Sequence, residues 1–369
     1  MNIKKTHRVL FVLPNDNLGG AEQHLKNIAF NLASNGYKAE VYFLKKETSL
    51  QWRGLHKNIN LHFTNRKRES IGVISFLITL FLTSRNKRKF DYIYTSHVHI
   101  NSLVGILVFL GILKKKFFIG RESTSVFKRF KGLKLLMFKA FYKLGYSNLD
   151  LLICQTEYMR RQLFDALPKL ISKINVQVIP NPINLDVIKN EILDCDLIKQ
   201  NYIVSAGRLI PEKGFDILIK AFANLENRFY DHKLVILGEG SERRSLENLI
   251  KGLNLVDRVL LLGFNTNVYS YFKYARCCVV SSRIEGFPNV LLQMMSQNNS
   301  IISTLCAGGI EDIPSIYTCD PGSIEQLSYQ INRALINDNS SVRETFTHFL
   351  KERSVSGFIE KVNSFLKVK

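Results

Sequence analysis

The chain has 369 residues, 46% of them apolar, which is long enough for two domains and too apolar for an extended disordered segment. Its six cysteines form no C-x-x-C pair, which argues against a disulfide framework or a zinc site and for reduced, buried thiols of a cytoplasmic protein. The net charge of +20 lies wholly in the first half, where residues 1–180 hold 30 Lys+Arg against 10 Asp+Glu while the remainder holds 21 of each.

The N-terminus is basic, but its apolar run from Val9 to Leu13 is too short for a signal peptide, so no secretion is expected. A strand over Arg8–Leu13, a loop over Pro14–Gly20, a helix over Ala21–Asn35 ended by Gly36 and a strand over Ala39–Leu44 make a βαβ opening. Further strands are expected at Asp91–Thr95, Lys116–Ile119, Leu149–Cys154 and Gln177–Ile179, with helices between them. Such alternation predicts a parallel sheet covered on both faces.

Two apolar stretches fall short of the roughly 20 residues that span a bilayer. Ile71–Thr83 is followed by Arg85, Lys87, Arg88 and Lys89, and Leu103–Leu113 by Lys114, Lys115 and Lys116. Each is compatible with a buried helix whose basic last turn complements the helix dipole. Between Phe127 and Tyr146, however, Phe130, Leu133, Met137, Phe138 and Phe141 interleave with Lys128, Arg129, Lys131, Lys134, Lys139 and Lys143. That is the composition of a helix lying in a headgroup region, so the basic half is expected to rest peripherally on an anionic inner-membrane surface.

Pro180 and Pro182 interrupt the alternation and open a polar linker over residues 181–201. It resumes with strands at Tyr202–Ala206, Lys233–Leu237, Val259–Leu262, Cys277–Ser281 and Ser300–Thr304, so a second doubly wound domain is expected over 202–350. The helical end, residues 351–369, is expected to return to the first domain. Two such domains are expected to hold a ligand in a cleft where both sets of strands end.

Four loops carry candidate chemistry. Asn17–Glu22 places Gly19 and Gly20 before a helix, where free N–H groups suit a phosphate. Ser205–Gly214 carries Arg208 and Lys213, two cations suited to neutralising a diphosphate. The turn at Gly238 and Gly240 lets the chain pass near a ligand. In Ser282–Gln293, Glu285 is followed by Gly286 and Phe287, and Pro288 and Asn289 then open a helix carrying Val290 and Gln293. In the first half, His97 follows a strand and is placed to orient a hydroxyl, with capping of the next helix as its plainer role. Arg121 and Glu122 end another strand and are either acceptor-side residues or an ordinary loop pair.

With these motifs the chain resembles a family 4 glycosyltransferase (the "glycosyl transferases group 1" type) of GT-B fold, densest from Ser205 to Asp312. The resemblance implies retaining transfer from a nucleotide-sugar without a bound metal or cofactor. It implies donor-diphosphate contacts for Arg208 and Lys213, a donor-sugar contact for Glu285, a phosphate-facing helix at Asn289, and a loop at Gly19–Gly20 that closes over the donor. Phe264 and the Gly308–Gly309 loop are expected to shape the base and sugar contacts. The family's second glutamate, which holds the ribose, is replaced here by Gln293, and an amide lacks the charge-assisted strength of a carboxylate. The expected acceptor is a polyprenyl-diphosphate-linked or other lipid-linked saccharide. Asp194-Cys195-Asp196 spells a metal-diphosphate motif, but it lies in the linker, and no metal is expected there.

Three other readings remain open at this point. The basic half suits a nucleic-acid-binding protein, although its cations follow apolar helices, so no nucleic-acid partner is expected. Gln293 suits a catalytically silent scaffold, and the fold suits an epimerase or phosphorylase.

Overall fold

The computed structural model describes residues 7–47, 52, 56–64, 68–82, 89–124, 126–185, 201–265 and 267–366. Arg85, Lys87, Arg88 and the Asp194-Cys195-Asp196 run lie outside the described residues, as does most of the expected linker. The chain divides into two compact units, Met1–Pro182 with Val355–Lys369, and Ile183–Ser354.

The first unit is built on strands β1 (Arg8–Asn15), β2 (Lys38–Lys45), β3 (Ile59–Phe63), β4 (Lys89–Ser96), β5 (Lys114–Arg121), β6 (Leu151–Cys154) and β7 (Val176–Val178). They form one parallel sheet in the order β3-β2-β1-β4-β5-β6-β7. Strand β1 therefore pairs with both β2 and β4, and the winding reverses between β1 and β4. The loops that leave these two strands stand side by side at the point where open α/β sheets hold ligands. Helix α1 (Gly20–Ser34) and the helix Val355–Leu366 share a core with one sheet face, through Leu25, Ile28, Leu32, Phe358, Ile359 and Val362. The other face is covered by α2 (Glu69–Leu82), α3 (Val98–Phe109), α4 (Val126–Arg129) and α5 (Gly132–Gly145).

Two features of this layer depart from the sequence reading. Strand β3 was not singled out, because INLHF is an edge strand of half-buried and exposed residues that carries no apolar run. The expected continuous helix from Phe127 to Tyr146 is instead two helices, broken at Phe130 and Lys131 just before Gly132, whose φ of 58° is left-handed.

Helix α2 buries Gly72, Phe76 and Leu80 while Ile71, Ile74, Ile78, Phe81 and Leu82 are exposed. It is thus apolar all round, which for a surface helix signals a second apolar contact. Helix α5 exposes Leu133, Leu136, Met137 and Leu144, and α3 ends on exposed Phe109 and Leu110. No described helix is long and apolar enough to cross a membrane.

The second unit is a parallel sheet of β8 (Tyr202–Ala206), β9 (Lys233–Leu237), β10 (Val259–Gly263), β11 (Cys277–Val280), β12 (Ile301–Thr304) and β13 (Tyr317–Cys319), ordered β10-β9-β8-β11-β12-β13. Its reversal lies between β8 and β11. The loop carrying Arg208 and Lys213 and the loop carrying Glu285 leave these neighbouring strands, and the topology alone brings them together.

Candidate active site

After β8 the chain turns through Gly207–Gly214 into the helix Phe215–Ala223. After β11 it runs through Ser281–Pro288 into the helix Asn289–Gln297. The two loops are tied by side chains. Lys213 Nζ donates to Glu285 Oε1 at 2.5 Å, and Ser282 Oγ donates to the same oxygen at 2.9 Å. Ser281 Oγ donates to the Lys213 carbonyl at 3.0 Å. Arg283 forks onto Asp216, with Nη1 2.8 Å from Oδ1 and Nη2 2.7 Å from Oδ2, and its Nη1 also reaches the Pro211 carbonyl. These hydrogen bonds hold the Asp216 carboxyl below its usual range, against the burial that would raise it, and raise the guanidinium.

Lys213 and Glu285 are thus an ion pair with both side chains mostly buried. Arg208, by contrast, is exposed, and among the described residues its guanidinium makes no hydrogen bond or ion pair. No side chain caps the helix Asn289–Gln297, so its first turn presents the positive end of the helix dipole near these cations. Gly286 and Val290 are half-buried, while Phe287 and Pro288 are packed into the core. Gln293 lies on this helix and its Nε2 donates to the Tyr269 hydroxyl at 3.3 Å.

Gly238 and Gly240 have a local packing role. A Cβ at Gly238 would fall 1.8 Å from the Gly207 carbonyl oxygen, and one at Gly240 would fall 2.3 Å from that of Leu209. They admit the backbone of the Arg208 loop, so the turn supports the site from behind. Phe264, on the next loop, is exposed.

In the first unit, His97 follows β4 with φ 90°, a value few non-glycine residues adopt. It occupies the position before α3, but its side chain does not cap that helix. Its Nδ1 is bonded to the Ser96 carbonyl, and its Nε2 is 3.4 Å from Glu22 Oε1 in the first turn of α1. Gly19 immediately precedes that turn, and Gly20 is its first residue. Burial lowers the His97 pKa, and the Glu22 charge opposes this.

Arg121 and Glu122 are both buried, 3% and 1% exposed. Arg121 donates to Ser96 Oγ at 3.3 Å and to Asn181 Oδ1 at 2.7 Å, and burial lowers its pKa to about 10. Glu122 points the other way, into the core beneath α5, where Tyr142 and Tyr146 donate to its two oxygens at 2.8 and 2.7 Å. Burial raises its pKa to about 7 in spite of these two donors. Its carboxylate therefore presents no surface to an acceptor, and its signal in the sequence, a charge after a strand, was that of an exposed loop.

The sequence reading missed Arg283, Asp216 and Glu22. Arg283 stands two residues before Glu285, yet its partner is 67 positions away, and Glu22 is linked to His97 only by the β1/β4 pairing.

Both halves of the chain match known protein families. Residues 18–187 match the family described as "Glycosyltransferase Family 4", and residues 189–349 match "Glycosyl transferases group 1". An uncharacterized glycosyltransferase of Methanocaldococcus jannaschii is 30% identical over 235 residues, 60% of this chain and 57% of that protein. The N-acetylgalactosamine-N,N'-diacetylbacillosaminyl-diphospho-undecaprenol 4-alpha-N-acetylgalactosaminyltransferase of Campylobacter jejuni is 29% identical over 301 residues, 80% of each chain. Among solved structures, Anabaena HepE in complex with UDP-glucose superposes with a TM-score of 0.78 at 17% identity, covering 98% of this chain and 100% of that one. With one family matching each half and the paired parallel sheets of GT-B proteins, the chain belongs to the group 1, family 4 glycosyltransferases.

Proposed function

We propose that the chain is a retaining, metal-independent glycosyltransferase that moves a sugar from a nucleotide-diphosphate donor to a lipid-linked saccharide during assembly of a bacterial surface polysaccharide such as O-antigen, capsule or lipopolysaccharide. The observation that carries this reading is the second unit's cluster of Lys213 paired with Glu285, unpaired Arg208 and the uncapped helix at Asn289. Arg208, Lys213 and the helix N-terminus meet the charge of a departing diphosphate, the part that a divalent cation plays in other transferases. When the diphosphate draws Lys213 toward itself, Glu285 is released to accept hydrogen bonds from the donor sugar. The acceptor hydroxyl attacks on the face the diphosphate leaves, and the leaving oxygen takes its proton. HepE was solved with UDP-glucose, which supports a nucleotide-sugar donor.

The acceptor and location rest on the first unit. Exposed Leu133, Leu136, Met137 and Leu144 on α5 stand among Lys131, Lys134, Lys139 and Lys143, and the outward apolar residues of α2 lie on the same sheet face. This surface suits peripheral contact with anionic lipid at the cytoplasmic face of the inner membrane. The Campylobacter relative is named for a diphospho-undecaprenol acceptor, which supports a polyprenyl-diphosphate-linked saccharide here.

Titration of the purified chain with UDP-, GDP- and ADP-sugars, with sugar release as readout, tests the reading. One of them is expected to bind and turn over without added divalent cation and in the presence of a chelator. Failure of every donor to bind overturns it.

A further inference from the structure

Glu22 is 8% exposed, and His97 Nε2 is the only described side-chain group within ion-pair distance of its carboxylate. Its second oxygen lies against Gly19, where an added Cβ would fall 2.6 Å from Oε2. Gly19 therefore leaves room for a carboxylate of its own chain. On the other side of the pair, His97 Nδ1 faces the Ser96 carbonyl, which can only accept, so Nδ1 carries a hydrogen. In a neutral imidazole the Nε2 lone pair would then face the Glu22 carboxylate, two acceptors opposed. Burial favours this neutral form, which leaves the pair one hydrogen short.

We propose that Glu22 is a positioning residue for His97: its carboxylate turns the imidazole so that Nε2 and Oε1 together receive the hydrogen of one sugar hydroxyl. The 3.4 Å gap between Nε2 and Oε1 is longer than a charge-assisted hydrogen bond, about 2.7–2.9 Å. A hydroxyl set beside the gap supplies that hydrogen to the two facing acceptors. The ligand class is thus a saccharide hydroxyl, and this assignment rests on the glycosyl-transfer reading above.

The surroundings oppose a proton on His97 from every other side. Burial is the main cause that lowers its pKa, joined by His99 on α3, whose Nε2 is 2.8 Å from Glu69 of α2, and by Arg121 at the end of β5. Glu22 and the Ser96 carbonyl are the two groups that act the other way.

The test is the titration of the His97 imidazole, followed by NMR in the full chain without substrate and assigned by its loss in His97→Asn. Glu22→Gln, nearly isosteric, is expected to lower the His97 midpoint by about one pH unit or more. Gly19→Ala, which displaces Oε2 without removing the charge, is expected to give a smaller shift in the same direction and serves if Glu22→Gln does not fold. With a transferable sugar, the pH profile of kcat in Glu22→Gln should move to lower pH by the same interval, a change that a purely structural role would not produce. An unchanged His97 midpoint in a folded variant overturns the proposal. A shifted midpoint in a chain that transfers no sugar from any donor leaves the pair standing and sinks the glycosyl-transfer reading instead.

Discussion

Arg283 holds Asp216 with both terminal nitrogens and so fastens the loop that carries Lys213 to the loop that carries Glu285. Both side chains are more than one-third exposed, so the fork contributes no more than about 1 kcal/mol to folding. Its value is in geometry. Arg283→Ala is expected to lower Tm by only a few degrees while weakening donor binding about tenfold, read by thermal melts and calorimetric titration. A large loss of Tm with unchanged donor affinity would falsify this division of labour.

Lys213 contacts Glu285 at one end of its reach and is expected to contact the donor diphosphate at the other. Lys213→Ala should therefore lower kcat by roughly 10²- to 10³-fold, the usual effect of deleting one donor to a developing charge. Glu285→Gln keeps the shape of the pair but not its charge, and should lower kcat through the donor sugar while leaving affinity for the free nucleoside diphosphate within about threefold, since its partner lysine remains. Steady-state kinetics beside nucleotide titration separates the two.

Glu122 links folding to pH with a definite sign. Its folded pKa of about 7 lies above the ordinary carboxyl value, so the native chain keeps a proton that the unfolded chain releases. The stabilisation is complete below about pH 4.5 and is lost as pH rises through 7, a change on the order of 3 kcal/mol. Glu122→Gln removes this dependence. Urea unfolding at several pH values should show the stability of wild type relative to the variant falling between pH 5 and 8, and parallel curves would count against a buried, protonated carboxyl.

The exposed face of α5 can be altered without touching the core, because Leu133 is 85% and Leu144 62% exposed. The combined change Leu133→Ser, Leu136→Ser and Leu144→Ser is expected to leave Tm unchanged. Its sedimentation with phosphatidylglycerol-containing vesicles should fall at least tenfold, whereas wild type should bind these vesicles and release them as salt is raised. Equal binding of both proteins would remove α5 from the membrane contact.

Gln293 is within hydrogen-bond reach of the Tyr269 hydroxyl. In Gln293→Glu that hydroxyl has a carboxylate to donate to, and the ribose gains a charge-assisted acceptor. Donor Kd is expected to fall roughly three- to tenfold. No change would favour the silent scaffold.

The alternation of strands and helices was legible because both sheets are parallel and their strands read as apolar runs between helical patterns. The loop holding Arg208 and Lys213 and the loop holding Glu285 were legible because glycine, proline and charge are concentrated where strand gives way to helix. What escaped were relationships set by the winding reversal. Nothing near Arg283 names Asp216, and nothing near Glu22 names His97, since each pair forms only when strands distant in sequence become neighbours. Glu122 misled for a related reason. Its two tyrosines lie 20 and 24 residues on, on elements that must first pack before the carboxyl is enclosed.

The helix Val355–Leu366 supplies Phe358, Ile359 and Val362 to the core of the first unit, which makes the second unit an insertion within the first. During synthesis the first unit must wait for its last helix until the whole second unit has left the ribosome, and until then the apolar face of α1 and its sheet stays uncovered. Separating the units for study therefore calls for splicing rather than truncation. The Ile183 amide donates to the Arg353 carbonyl at 2.8 Å, so the chain leaves and re-enters the first unit at nearly one place. A few glycines joining Pro182 to Val355 should close it into a self-sufficient domain, whereas a chain cut after Pro182 should aggregate.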